Sequence, residues 1–116
     1  MIRSVEEVLA RLESLPQLQN KIAYDHFSEP QQLPFAAYTF DADTDGADDY
    51  KGVAYIDFTL ELYADPRDLP LELEILKALD DVEITSDSEY IEAERMYQTT
   101  FSFRFPYKLT TPTETE

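Results

Sequence analysis

The residues best placed to do chemistry are the aspartates of Asp41-Ala42-Asp43-Thr44-Asp45-Gly46, which match the D-x-D-x-D-G opening of a calcium loop. Oxygen donors at alternate positions, followed by a glycine turn, suit a hard divalent cation. The match then fails, because the twelfth position is Gly52, where a bidentate glutamate is required. The flanks also read as strands instead of helices. Asp41, Asp43, Asp45, Asp48 and Asp49 crowd one short stretch, and their mutual repulsion allows at most loose cation binding. The plainer reading is a solvated acidic hairpin loop between two strands.

Other groups offer less. His26 is the only histidine; with no cysteine and no second histidine it cannot build a His-type metal site. It falls in an expected strand beside Asp25. Ser4, Ser14, Ser28, Ser86, Ser88 and Ser102 lie in no nucleophile-elbow context. Carboxylate pairs suited to glycoside hydrolysis mean little in a chain with acids everywhere. Gly46 and Gly52 are the only glycines, too few for a phosphate-cradling loop. No catalytic residue, no cofactor and no enzyme activity is expected.

Composition narrows the classes further. The chain has 116 residues and a formal charge of −16, from 25 acidic and 9 basic side chains. That length suits one modest core. Phosphate backbones are repelled by such a surface, which argues against direct nucleic-acid binding. A basic protein partner, avoidance of DNA, mimicry of DNA and plain solubility all remain compatible with it. The lack of cysteine excludes a disulfide scaffold and a thiolate nucleophile. No apolar run approaches membrane-spanning length and the N-terminus lacks a signal-peptide layout, so the chain is read as made and kept in the cytoplasm, or assembled from there.

The positioning elements centre on residues 53–64. Ala54, Ile56, Phe58, Leu60, Leu62 and Ala64 alternate with Val53, Tyr55, Asp57, Thr59, Glu61 and Tyr63, the period of a long strand with one apolar face. Ahead of it, Ser4-Val5-Glu6-Glu7 reads as a capping box opening a helix that ends near Leu15. Lys21 to Phe27 and Phe35 to Phe40 read as strands, joined by the turn-rich Ser28 to Pro34.

Beyond the central strand, Asp68 caps a second helix with Pro70 in its first turn. Glu74, Lys77 and Asp81 form its polar arc, while Leu69, Leu71, Leu73, Ile75, Leu76, Ala78 and Leu79 cover most of the rest. The excess apolar surface must meet the first helix, another subunit, or both. Val82 to Ser88 reads as a short strand and turn, and Tyr90 to Lys108 as a long final strand. Pro106 marks an edge or the end of pairing.

The expected fold is α+β, a mainly antiparallel sheet of about four to five strands with two helices on one face. It spans residues 1–108, with 109–116 as a mobile tail. Tyr55, Thr59, Tyr63, Arg104 and Lys108 share the outward face. Ordinary cross-strand pairing is the bland account of them, and a protein-binding surface the sharper one. Leu71, Ile75, Tyr55, Tyr63 and Arg104 are the interface candidates.

Several segments together resemble a family. They are Leu33-Pro34-Phe35-Ala36-Ala37-Tyr38, Ala47-Asp48-Asp49 running into the strand, and Glu61-Leu62-Tyr63 with Asp65 and Asp68. Glu72 and Glu74 continue the pattern, and Tyr90-Ile91-Glu92-Ala93-Glu94-Arg95-Met96-Tyr97 completes it. From about Ser4 to Lys108 the chain resembles the small tail-completion, or head–tail joining, proteins of long-tailed bacteriophages and prophages. The resemblance implies a structural virion protein that assembles as a ring, commonly a hexamer. It would sit between the head connector and the major tail protein, with the genome passing through. It implies no catalytic residues and no membrane. Asp41, Asp43, Asp45, Asp48 and Asp49 would then be assembly-loop residues, and an acidic lumen would keep DNA from sticking.

The alternative class is an acidic regulatory protein, a DNA mimic that occupies the basic groove of a nucleic-acid enzyme or repressor. Such a protein needs carboxylates in a spaced, phosphate-like array, whereas here they concentrate in one loop and one helix arc. A small hydrolase is the third class and has the least in its favour.

Overall fold

The computed structural model describes residues 2–43 and 53–108. The chain runs through α1 (Val5–Glu13), a 3-10 turn (Pro16–Leu18), β1 (Ile22–Tyr24), β2 (Phe35–Asp43) and β3 (Val53–Ala64). It continues through α2 (Leu69–Ala78), β4 (Thr85–Ile91) and β5 (Met96–Lys108). The strands form one sheet in the order β1-β2-β3-β5-β4, and the two helices lie against one of its faces.

β3 is the middle strand, as its alternation demands. It pairs antiparallel with β2, from Phe35↔Tyr63 to Asp43↔Tyr55, and with β5, from Val53↔Lys108 to Ala64↔Tyr97. Ala54, Ile56, Phe58, Leu60, Leu62 and Ala64 are all buried on the helix-bearing face. They join Phe101, Phe103 and Phe105 of β5, Val8 and Leu12 of α1, Leu71 and Ile75 of α2, and Leu79 just past its end in the core. Burying each of these large side chains contributes about 1.5–3 kcal/mol. The Phe58 ring stacks between Tyr38 and Phe103, with centroids 5.5 and 5.1 Å away.

Both helix starts form where the capping residues place them. The Ser4 hydroxyl accepts from the Glu7 amide at 3.1 Å, and Asp68 Oδ1 accepts from the Leu71 amide at 3.1 Å. The expected return contact of the capping box is displaced by one residue: Glu7 Oε1 accepts from the Arg3 amide, not from that of Ser4. This bond, followed by the Arg11 guanidinium, lowers the pKa of the Glu7 carboxyl.

The architecture is the expected α+β one, a mostly antiparallel sheet of five strands with two helices on one face. Within it β1 runs parallel to β2, in register from Ile22↔Ala36 to Tyr24↔Tyr38, so the sheet is mixed. A parallel neighbour needs a returning connection, which residues 25–34 supply. Some local expectations are corrected. β1 ends at Tyr24, leaving His26 outside it. β2 runs on through Asp41 to Asp43, so these two aspartates belong to a strand and not to a loop.

The long final strand expected from Tyr90 is two strands. β4 and β5 pair antiparallel around a turn at residues 92–95, where Arg95 takes a φ of 55°. β4 reaches along β5 only as far as Ser102. Pro106 therefore lies where β5 has lost its second neighbour. Asp45, Asp48 and Asp49, and the tail 109–116, lie outside the described residues.

Candidate functional site

The sheet has one face under the helices and one that carries no helix among the described residues, called the open face. The open face is built by the odd positions of β3 and β2 and the even positions of β5, because strand side chains alternate and the registers bring these sets side by side. Asp57 thus faces Arg104 across one ladder and Asp41 across the other.

Arg104 organises one end of this face. Its Nε and Nη2 donate to Asp57 Oδ1 and Oδ2 at 2.8 and 3.0 Å, and Nη2 also donates to Asp43 Oδ2 at 2.7 Å. Its guanidinium carbon lies 5.1 Å from the Tyr55 ring centroid, a cation–π distance. The hydrogen bonds to Asp57, then Asp43, hold the guanidinium charged well above its ordinary range. Arg104 offsets the like charges of neighbouring carboxylates that β2 and β3 bring together. Asp43 is therefore committed to an ion pair instead of standing ready in a calcium loop.

Tyr63 anchors the other end. Its ring stacks on Phe35, with centroids 5.0 Å apart, and Phe35 meets Phe27 edge-on at 5.6 Å. The Tyr63 hydroxyl donates to Glu61 Oε1 at 3.1 Å, while Gln98 Nε2 donates to Glu61 Oε2 at 3.0 Å. Burial, then the adjacent Glu61 charge, pushes the phenol up to about 12. A shallow cavity of about 180 Å³ opens between Phe27, Phe35, Tyr63, His26 and Glu94. His26 is exposed, with Nδ1 2.9 Å from Asp25 Oδ2. Among the described residues, no group of three or more His, Cys, Asp or Glu side chains could hold a metal ion.

Of the interface candidates, Tyr55, Tyr63 and Arg104 share the open face. Leu71 and Ile75 do not, because both are wholly buried in the chain's own core. The apolar excess of α2 meets α1, as Val8, Leu12, Leu71 and Ile75 lie in one cluster. What remains outward on that helix is Leu69 and Leu73, 51% and 58% exposed.

Sequence reasoning missed two polar assemblies. Glu72 points inward, takes both Arg67 nitrogens, Nε and Nη2, at 2.9 Å, and accepts from the Thr99 hydroxyl at 3.1 Å. Ser88 Oγ lies 2.9 Å from the same hydroxyl, so α2, β5 and β4 are tied through one buried carboxylate. Arg11 joins the helices by donating from Nη1 and Nη2 to Asp81 at 2.7 and 3.0 Å and from Nη1 to the Ala78 carbonyl at 3.2 Å. These contacts tie α2 to β4, β5 and α1, and commit Glu72 and Asp81 to structural ion pairs.

No protein-family model matches the chain, and no curated protein sequence matches it. Among solved structures, it is similar to a chain from the virion of a native gene transfer agent particle. The TM-score is 0.56 at 17% identity, covering 87% of this chain and 91% of the other. At that identity the likeness shows a shared fold.

Proposed function

We propose that this chain is a structural protein of a phage-like virion, placed at the head–tail junction, where it completes or terminates the tail tube and joins it to the head connector. The observation that carries this reading is the shared fold with a gene transfer agent virion chain over nearly the full length of both. The described site suits such a role. Tyr55, Tyr63 and Arg104 display aromatic and guanidinium groups on an open sheet face, the residue types favoured in protein contacts. In this reading the subunits assemble as a ring, six-fold when complete, between the head connector and the major tail protein. The protein acts by position and not by catalysis, and DNA passes the acidic surface without adhering. It is assembled in the host cytoplasm and resides in the virion neck.

Deleting the gene from its phage or prophage and viewing induced lysates by negative-stain electron microscopy tests this. Full heads beside unattached tails are expected. Tails of uncontrolled length would assign termination, and tails of normal length joining. Complete virions would sink the structural reading and favour the acidic inhibitor, to be sought by its salt-sensitive binding to a basic nucleic-acid enzyme.

A further inference from the structure

β4 is the last strand of the sheet, and its only partner among the described residues is β5. The strand is 7 residues long, and its pairing, Thr85↔Ser102 to Ile91↔Met96, advances one residue at a time without a bulge. A regular free edge of this kind presents backbone donors and acceptors to any extended chain. Natural edges are blunted by brevity, charged side chains, proline, a bulge or a covering element. The opposite edge, β1, is blunted by its length of 3 residues. β4 has no proline and no lysine in TSDSEYI. It has Asp87 and Glu89, with Glu92 and Glu94 just beyond its end.

The charge decides what fits. A second copy paired along this edge would set acidic strands against each other, which is destabilising in cross-strand positions. A net charge of −16 opposes it further. A strand bearing lysine or arginine at alternate positions meets Asp87 and Glu89 with the opposite sign, at about 0.2–1 kcal/mol per pair. On the helix-bearing side, Tyr90 is 47% exposed and packs edge-on against Tyr97 at 5.0 Å. It offers the same incoming strand an aromatic anchor.

We propose that β4 is a docking edge that accepts an extended, basic segment of another protein as an added strand. Main-chain hydrogen bonds supply the attachment, and Asp87 and Glu89 the choice of partner. The acids serve two ends, as they keep copies of this chain apart and admit a cationic strand. The inference stands on the sheet edge alone and does not rest on the virion reading.

The test is a titration of the isotope-labelled full chain with a capped seven-residue peptide that alternates lysine with valine, followed by amide NMR. Shifts confined to Thr85–Ile91 and its β5 partners are expected, with binding that weakens as salt rises. The same peptide N-methylated on alternate amides should bind at least tenfold more weakly, as should the original peptide on the Asp87→Lys/Glu89→Lys protein. Three results would each overturn the proposal: no shifts at millimolar peptide, shifts spread over the Tyr55 to Tyr63 face, or equal binding of a glutamate–valine peptide. Dimerisation of the free chain through β4 would also overturn it, in favour of a second copy.

Discussion

Arg67 and Glu72 meet in a two-pronged contact, each nitrogen–oxygen distance 2.9 Å, with the guanidinium 47% exposed and the carboxylate only 7% exposed. The pair is asymmetric. Water can serve Arg67 if its partner is lost, but it cannot easily serve Glu72. Arg67→Ala should therefore lower the urea midpoint of unfolding, since the buried Glu72 carboxylate loses its counterpart. The double variant Arg67→Met/Glu72→Met should cost less than Arg67→Ala alone. Urea unfolding of the three proteins checks this, and a double variant weaker than the single one would refute it.

Asp81 carries the pH dependence of the helix–helix joint. The Arg11 hydrogen bonds hold its carboxyl well below the ordinary carboxylate range. A depressed folded pKa means stability that is present in full above the ordinary value and is lost as pH falls through the folded one. Asp81→Asn should therefore lower the thermal midpoint at pH 7 by roughly 4 °C, equivalent to about 1 kcal/mol for a partly exposed pair. The gap between the two proteins should hold from pH 7 to 5 and narrow below about pH 4. A gap unchanged at pH 2 would contradict the assignment.

Phe58 lies at the centre of a stacked row in the core, between Tyr38 and Phe103, and is only 1% exposed. Phe58→Ala should cost about 3–5 kcal/mol, through lost transfer energy and a residual cavity. Phe58→Leu should recover much of that. Equal losses for both variants would mean that the ring geometry matters more than the filled volume.

Tyr55 and Arg104 separate stability from assembly. Both sit on the open face, and Arg104 is 48% exposed in its ion pairs. Tyr55→Ala/Arg104→Gln should leave the urea midpoint close to that of the parent protein, since exposed ion pairs contribute little. In a complemented deletion strain the same variant should fail to restore joined particles. Full restoration would remove these residues from the assembly surface.

The alternation of residues 53–64 identified β3 to the residue, and Asp68 capped α2 as its side chain suggested. Both signals are local, a period of two and a carboxylate beside free amides. The turn between β4 and β5 was invisible because Glu92-Ala93-Glu94-Arg95 contains no glycine, proline or asparagine, although Arg95 adopts a left-handed φ.

The parallel pairing of β1 depends on where residues 25–34 return the chain, and three strand residues carry no direction. The open-face cluster could be half seen: alternation put Tyr55 and Arg104 on one face. The engagement of Asp43 by Arg104 spans 61 positions and needed the sheet register. Glu72 was hidden for the opposite reason, since a charged residue on a helix reads as solvated until a partner 27 positions away, Thr99, is placed beside it.

The central position of β3 also sets a timetable for biosynthesis. Its second neighbour, β5, is the last strand of the sheet to leave the ribosome, complete only once residues 65–108 have followed β3. At ribosomal speeds of about 5–20 residues per second, that gap lasts roughly 2–9 s. Throughout it, the apolar row from Ala54 to Ala64 has β2 on one side and no strand on the other. Pairing so distant in sequence is slow to nucleate even when the whole chain is free. The nascent protein therefore passes through a vulnerable interval, in which a net charge of −16 works against edge-to-edge joining of neighbouring chains.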